Sequence, residues 1–296
     1  MNNILKTTLG LTGHMDYEKF STDIKSVYAD LTYEKFVSYL EKLFETQDSL
    51  NKRMCGETYA RELQTTKGKP IRFGNALISE TSELLDSTPW KHWKAGTFDK
   101  DNISVEIIDK LHFLPSIIAI MLEKEKEYTK DMQTDVLGVI YNFAWRELNK
   151  NTIFKPDDNT IQIEVNKLVS INSIIGGMTN LSRSLNVDIR NVDKEDSSSE
   201  FYFNNIITKL IGISLGLCFK IHFMVFNSRI ENVWSLYVIK NTLNGFRKAN
   251  GYEEGTYEKI WDGKEDNIVA MEIMIKNPNY SVHELFEELS IVYKNL

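Results

Sequence analysis

The chain has 296 residues, of which 42% are hydrophobic and 26% charged, with a formal net charge of −7. This composition is typical of a soluble globular protein with a sizeable core, and the acidic balance argues against a general nucleic-acid binder, which normally carries a basic face. Two cysteines, Cys55 and Cys218, offer neither a disulfide framework nor a zinc spacing, and they predict a reducing, cytoplasmic environment. The first 20 residues lack the long apolar core of a signal peptide.

The first well-patterned helix is predicted to begin near Thr32, after an N-terminal extension, residues 1–30, for which we expect a short helix or an ordered arm. Gln47 and Asn51 lie four residues apart and therefore on one face of this helix. From spacing alone, a pair of surface amides is the better interpretation. The apolar residues recur at mostly three-and-four spacing and comprise Phe36, Tyr39, Leu40, Leu43, Phe44 and Leu50.

A second predicted helix carries the acidic pair Glu80 and Glu83 and stops near Pro89. Residues three apart on a helix differ by about 300° of rotation, so both carboxylates point from one face. A single pair of this kind is usually a solvated helix surface.

An aromatic and basic run, Trp-Lys-His-Trp-Lys at 90–94, follows that helix. Lys91 and Lys94 suit contacts with phosphates, although lysines here also complement the C-terminus of a helix. The two tryptophans are more often packing residues than platforms for a ligand.

A third predicted helix starts after a polar loop at 96–102 and repeats the acidic spacing with Glu106 and Asp109. Twenty-two residues separate Glu83 from Glu106. Pro115 removes one backbone donor from this helix, and we expect a kink there.

Two consecutive helices with paired carboxylates predict one acidic cluster. At an effective dielectric constant near 20, two unit charges about 4 Å apart repel by roughly 4 kcal/mol, so protons or a divalent cation must offset the repulsion. Oxygen ligands without cysteine suit Mg²⁺ or Mn²⁺ rather than zinc. The second pair and the neighbouring aromatic-basic run favour a metal site over two solvated faces.

The middle of the chain is less informative. Helices are predicted at 136–148 and 161–185, the second as one or two helices around its glycine pair, and a mobile loop at 191–200. The apolar run 206–226 is nearly long enough to span a membrane. Lys209, Lys220 and His222 interrupt it, so a buried core or interface helix is the better interpretation.

The last patterned segment places Lys240, Asn244 and Arg247 on one helical face. Gly251 is suited to end that helix with a left-handed backbone. A loop with two glycines follows. Taken alone, a basic face beside a glycine loop is a weak signal for phosphate binding.

Together these motifs resemble the dimeric, all-α dUTPase family, the Campylobacter and trypanosomatid type. The family's metal motif is ExxE, a spacer and ExxD, and it carries a stretch of the form KNxLNxFRxxNGYxxGxYxKxWxGKEDN, which residues 240–267 match closely. The resemblance implies a single all-α domain at 31–296, a helical bundle of the all-α nucleoside triphosphate pyrophosphatase type. A middle region at about 123–235 matches the family poorly.

The resemblance also implies site residues. Glu80, Glu83, Glu106 and Asp109 would be the catalytic metal ligands. Gln47 and Asn51 would offer amide groups to the uracil ring, because an amide carries both a donor and an acceptor. The other implied substrate contacts are Lys91, Lys94, His112, Phe113, Lys240, Asn244, Arg247, Tyr252, Lys259 and Asn267.

The implied activity is Mg²⁺-dependent hydrolysis of dUTP, with dUDP as a further substrate, by a cytoplasmic homodimer that binds neither nucleic acid nor membrane. Two alternatives stay open. One is a related pyrophosphatase for another nucleotide such as dCTP, and the other is a non-catalytic nucleotide-binding protein.

Overall fold

The structure, a computed structural model, describes residues 30–124, 130–150, 156–184, 197–226 and 228–295. The predicted N-terminal extension lies almost wholly outside the described residues. The predicted loop at 191–200 is described only from Ser197, where it is already helical.

These ranges are mostly helical, and the predicted all-α class is confirmed. The helices are α1 (Tyr33–Cys55), α2 (Tyr59–Glu62), α3 (Phe73–Asp86), α4 (Lys100–Lys124), α5 (Lys130–Asn149), α6 (Asp158–Ser184), α7 (Ser197–Phe226), α8 (Ile230–Ala249), α9 (Asp266–Lys276) and α10 (Val282–Lys294); β1 (Ile260–Trp261) and β2 (Lys264–Glu265) pair antiparallel between α8 and α9.

Helix α1 shows why the predicted stripe is helical. Thr32 caps it, since its side chain accepts a hydrogen bond from the backbone N–H of Lys35. Phe36, Leu40 and Leu43 are almost fully buried, as the spacing predicts. The same face continues to the amide pair and carries it into the interior.

The two acidic helices, α3 and α4, pack against each other. Helix α3 ends at Asp86, three residues before Pro89. Helix α4 is assigned as one helix across Pro115, and the hydroxyl of Ser116 donates to the carbonyl oxygen of His112 at 2.6 Å. The two carboxylate pairs therefore belong to a continuous, packed unit.

Helix α7 is the buried helix that the apolar run predicts, with 78% of its most apolar 18-residue window covered by protein. It packs on α4, α5, α6 and α8. A Cβ on Gly212 would lie 2.7 Å from the carbonyl oxygen of Ile140, so glycine lets α5 and α7 approach backbone to backbone. One long helix, α6, covers the described part of the predicted range, from 161 to 184.

The C-terminal part of the chain packs around an aromatic cluster. Phe246 on α8 lies 5.6 Å from Trp261 and 5.6 Å from Tyr293, measured between ring centroids. Gly251 adopts a φ of 89°, as the predicted helix end requires. The hairpin that contains Trp261 leads directly into α9 and fixes Asp266 at its first residue.

Candidate active site

Three carboxylates from α3 and α4 converge. Glu80, Glu83 and Glu106 each contribute one carboxylate oxygen, and these three oxygens lie within 4.8 Å of one another. Glu106 is buried, Glu80 is partly buried and Glu83 is exposed. The Oε2 atom of Glu106 is buried and has no hydrogen-bond partner among the described residues. A buried, unpaired carboxylate oxygen in a group of hard oxygen donors fits a divalent cation such as Mg²⁺.

The electrostatics of this cluster reflect burial and mutual repulsion. Burial, together with the charges of Asp109 and Glu80 and against that of Lys110, raises the pKa of Glu106 to about 7. Burial likewise raises the pKa of Glu80, helped by the charges of Asp109 and Glu83. The carboxylates are therefore costly to ionise without a cation.

Asp109 connects the acidic cluster to the basic helix. Its carboxylate oxygens lie 3.0 Å from the ammonium nitrogen of Lys240 on α8. This ion pair joins positions 131 residues apart. Asp109 is not part of the three-residue oxygen group, and its role as a metal ligand stays a prediction.

Arg247, one predicted phosphate ligand, is held by a buried acid. Its Nε and Nη2 atoms donate to the two carboxylate oxygens of Asp266 at 2.8 Å each. The hydroxyl of Tyr257 donates to the same carboxylate at 2.7 Å, and the backbone N–H of Asn267 donates at 2.8 Å. Burial alone would raise the pKa of Asp266, but these hydrogen bonds outweigh it and the pKa is lowered. The guanidinium plane is thereby fixed in one orientation.

The remaining predicted phosphate ligands lie in the same C-terminal segment. Asn244 is half-buried on α8, and Lys259 pairs with Glu265 at 3.5 Å. Tyr252 is exposed, with its ring 6.1 Å from that of Tyr257. Asn267 has a buried Oδ1 atom with no partner among the described residues. Their contact with substrate stays a prediction.

The amide pair on α1 is buried rather than exposed. Gln47 and Asn51 are 3% and 4% exposed, and Gln47 Nε2 donates to Asn51 Oδ1 at 2.9 Å. Tyr237 on α8 donates its hydroxyl to Gln47 Oε1 at 2.8 Å. Asn51 Nδ2 donates to the hydroxyl oxygen of Ser116 at 2.8 Å and to that of Tyr59 at 3.3 Å. The surface-amide interpretation is therefore wrong, and both amides already hold partners inside the protein.

His112 and Phe113 lie beside this polar network. The ring of His112 lies 4.6 Å from that of Tyr237, and its Nδ1 donates to the carbonyl oxygen of Ile108 at 2.9 Å. Burial lowers the pKa of His112 to about 4, so the ring is neutral at pH 7 and Nε2 is an acceptor. The Nε2 atom of His112 has no hydrogen-bond partner among the described residues. The same is true of the Oδ1 atom of Asn241, although the Nδ2 atom of Asn241 donates to the hydroxyl oxygen of Tyr237. Phe113 is half-buried against Phe73.

The aromatic-basic run lies at the surface. Trp93 is 66% exposed and Trp90 is 37% exposed. Lys91 pairs with Asp86 at 3.0 Å, and the indole N–H of Trp90 donates to the same carboxylate at 2.9 Å. Lys94 is exposed. The tryptophans are therefore not core residues, and the phosphate role of both lysines stays a prediction.

Four residues next to the predicted site were not anticipated from the sequence: Tyr59, Lys110, Tyr237 and Asp266. Lys110 had a usable signal, because it interrupts the buried stripe of Ile103, Ile107 and Leu114 on α4. Asp266 had none, since nothing in the run Lys264 to Asn267 separates it from its acidic neighbour.

The structure is an all-α bundle in which the carboxylates of α3 and α4 lie beside Lys240 on α8. The model of a dUTPase family matches residues 39–252, well over half of the chain. The chain therefore belongs to this all-α dUTPase family, and it is an enzyme of the dUTP diphosphatase type, a hydrolase. No curated protein matches the chain.

Proposed function

We propose that this enzyme hydrolyses dUTP to dUMP and pyrophosphate with Mg²⁺, that Mn²⁺ can replace Mg²⁺, and that dUDP is a further substrate. The observation that carries the proposal is the carboxylate cluster of Glu80, Glu83 and Glu106 on α3 and α4. The ion pair between Asp109 and Lys240 joins this cluster to α8. Removal of dUTP would limit the incorporation of uracil into DNA. The proposal includes a cytoplasmic location and a homodimer, and no nucleic-acid or membrane partner.

Glu80, Glu83 and Glu106, with Asp109, would hold the metal ions. Mg²⁺, when bound, supplies positive charge to the phosphate oxygens and makes a bound water more acidic. A carboxylate of this cluster accepts the proton of the attacking water. Lys240 and Arg247 offset the negative charge that develops on the phosphates.

The polar network of α1 would read the base. Asn51 and Gln47 have amide groups that match the imide edge of uracil, and these amides exchange internal hydrogen bonds for bonds to the base. His112 and Phe113 would border the sugar, and tight packing there would exclude a 2′-hydroxyl.

A second candidate is a pyrophosphatase of the same family type for another base, such as dCTP. The hydrogen bonds that Gln47 and Asn51 already make inside the protein favour it, because reading uracil would require some of these bonds to be exchanged.

Pyrophosphate release from a panel of nucleoside triphosphates separates these functions. The panel is dUTP, dCTP, dTTP, dATP and UTP, each with Mg²⁺ and then with EDTA. Preference for dUTP that EDTA abolishes supports the proposal, and preference for another base supports the second candidate. No turnover of any substrate contradicts both and supports a nucleotide-binding role.

A further inference from the structure

Lys110 is a buried lysine between the two acidic helices. Its side chain is 0% exposed, and its Nζ atom donates to the carbonyl oxygen of Glu80 on α3 at 2.7 Å and to that of Glu106 on α4 at 2.9 Å. Glu80 and Glu106 are more deeply buried than Glu83, the third member of the carboxylate cluster.

Burying an ammonium group is unfavourable unless it is paired and hydrogen-bonded. Packing alone does not explain a lysine at this position, since Ile107 and Leu114, one turn away on either side of it, are buried and apolar. Burial lowers the pKa of Lys110 to about 8, while Cys218 and the carboxylates of Glu106, Glu80 and Asp109 oppose the shift. The ammonium group therefore lies against the backbone of two members of the cluster and is attracted by the cluster's negative charge.

We propose that Lys110 is a positioning residue that serves as an internal counter-ion of the carboxylate cluster, offsetting the repulsion among Glu80, Glu106 and Asp109 when no metal ion is bound. The inference rests on the proposed metal site. A bound cation takes over this role and is itself repelled by the ammonium group. Lys110 thus stabilises the metal-free fold more than the metal-bound fold.

The test is the variant Lys110→Met, which keeps the length of the side chain and removes its charge. Melting temperatures are measured in EDTA and across a Mg²⁺ titration, without substrate. We expect the penalty of the substitution to be at least twice as large in EDTA as in saturating Mg²⁺. By linkage, the variant binds Mg²⁺ more tightly, by roughly tenfold in Kd, equivalent to about 1.4 kcal/mol.

Lys220→Met is the matched control. Lys220 is also buried, and it donates to the carbonyl oxygen of Lys150 at 2.7 Å and to Glu164 at 3.2 Å, away from the carboxylate cluster. Its penalty should be the same in EDTA and in Mg²⁺. A lysine with a purely structural role behaves like this control.

The outcomes separate the two proposals. Suppose that Mg²⁺ stabilises the wild type and that Lys110→Met lowers the melting temperature equally in EDTA and in Mg²⁺. The counter-ion role is then wrong and the metal site stands. If Mg²⁺ stabilises neither protein, both proposals are wrong. If Lys110→Met does not fold in either buffer, the double variant Glu106→Gln/Lys110→Met decides. Recovery of folding supports the counter-ion role, and failure to recover overturns it.

Discussion

Arg247, which is predicted to contact phosphate, uses two of its donors to bind a buried acid. Asp266 is 0% exposed and binds Arg247 through Nε and Nη2. This pair holds the guanidinium plane still, and a fixed plane is what bidentate recognition of phosphate needs. It also means that Arg247 contributes to folding as well as to the proposed chemistry.

Substituting Arg247→Lys keeps the charge and loses the planar fork. We expect turnover of dUTP to fall at least tenfold. We also expect the free energy of unfolding to fall by roughly 1–3 kcal/mol, because the buried carboxylate of Asp266 loses a hydrogen-bond partner. Steady-state kinetics and urea denaturation measure the two effects. Arg53→Lys, on the exposed face of α1, should change neither; wild-type turnover in Arg247→Lys would remove Arg247 from the site.

The amide network makes a second prediction at single residues. Asn51→Ala leaves its buried partners unpaired, which costs roughly 1–3 kcal/mol of stability. If Asn51 also reads the base, kcat/KM for dUTP falls more than that for dCTP or dTTP. The control is Asn166→Ala on α6, where Gln162 donates to Asn166 in the same four-residue spacing at an exposed site. An equal loss across bases would show that Asn51 only supports the structure.

His222 predicts how the fold responds to acid. Its ring is fully buried, with Nε2 2.8 Å from the hydroxyl oxygen of Ser104 and Nδ1 2.6 Å from that of Ser228. Burial lowers the pKa of His222 to about 3, whereas an unfolded histidine has a pKa near 6.5. The unfolded state therefore binds more protons between these values, and stability falls as the pH falls below about 6.5.

Between pH 6.5 and 4.5 this single group should cost roughly 2–3 kcal/mol. The unfolding free energy of His222→Gln should therefore decline less steeply over this range than that of the wild type. His283→Gln is the control, because His283 has a side chain that is 81% exposed. Parallel pH curves for His222→Gln and wild type would contradict the prediction.

At the scale of elements, glycines decide how closely the central helices pack. A Cβ on Gly216 of α7 would overlap with the carbonyl oxygen of Ala144 on α5, while a Cβ on Gly138 of α5 would meet nothing within 4 Å. Gly216→Ala should lower the free energy of unfolding by about 1–3 kcal/mol. Gly138→Ala should raise it by up to about 1 kcal/mol, since alanine favours a helix over glycine. Urea midpoints measure both, and equal shifts in the two variants would refute the close packing of α5 and α7.

Apolar periodicity predicted long helices such as α1 and α7, but it did not predict α2, α9 or α10. The stripe of α1 and the apolar run of α7 are buried as expected. Spacing also predicted that Glu80 and Glu83 would meet Glu106. The burial of Gln47 and Asn51 could not be predicted from spacing, because it depends on Tyr237, a residue 190 positions away.

Long-range pairing limits sequence-based prediction of the site in the same way. The bidentate ion pair between Arg247 and Asp266 depends on the hairpin of β1 and β2, because this hairpin returns the chain to α8. The contact of Asp109 with Lys240 depends on α4 packing against α8. Neither helix alone carries a pattern that specifies its partner.

For the whole molecule, charge is the governing constraint. The protein has a formal net charge of −7, its proposed substrate is a polyanion, and its carboxylate cluster is already repulsive. A cation held by the carboxylates would offset both repulsions. We therefore propose that Glu80, Glu83 and Glu106 form a metal site.

The most direct test is the melting temperature of wild type and Glu83→Gln, each in EDTA and in millimolar Mg²⁺. In EDTA the variant should be at least as stable as the wild type, because one like charge is removed. In Mg²⁺ the order should reverse, since a metal that binds only the folded state stabilises it by mass action and the variant has lost a ligand. Melting temperatures that do not change between EDTA and Mg²⁺ in either protein would contradict the metal site.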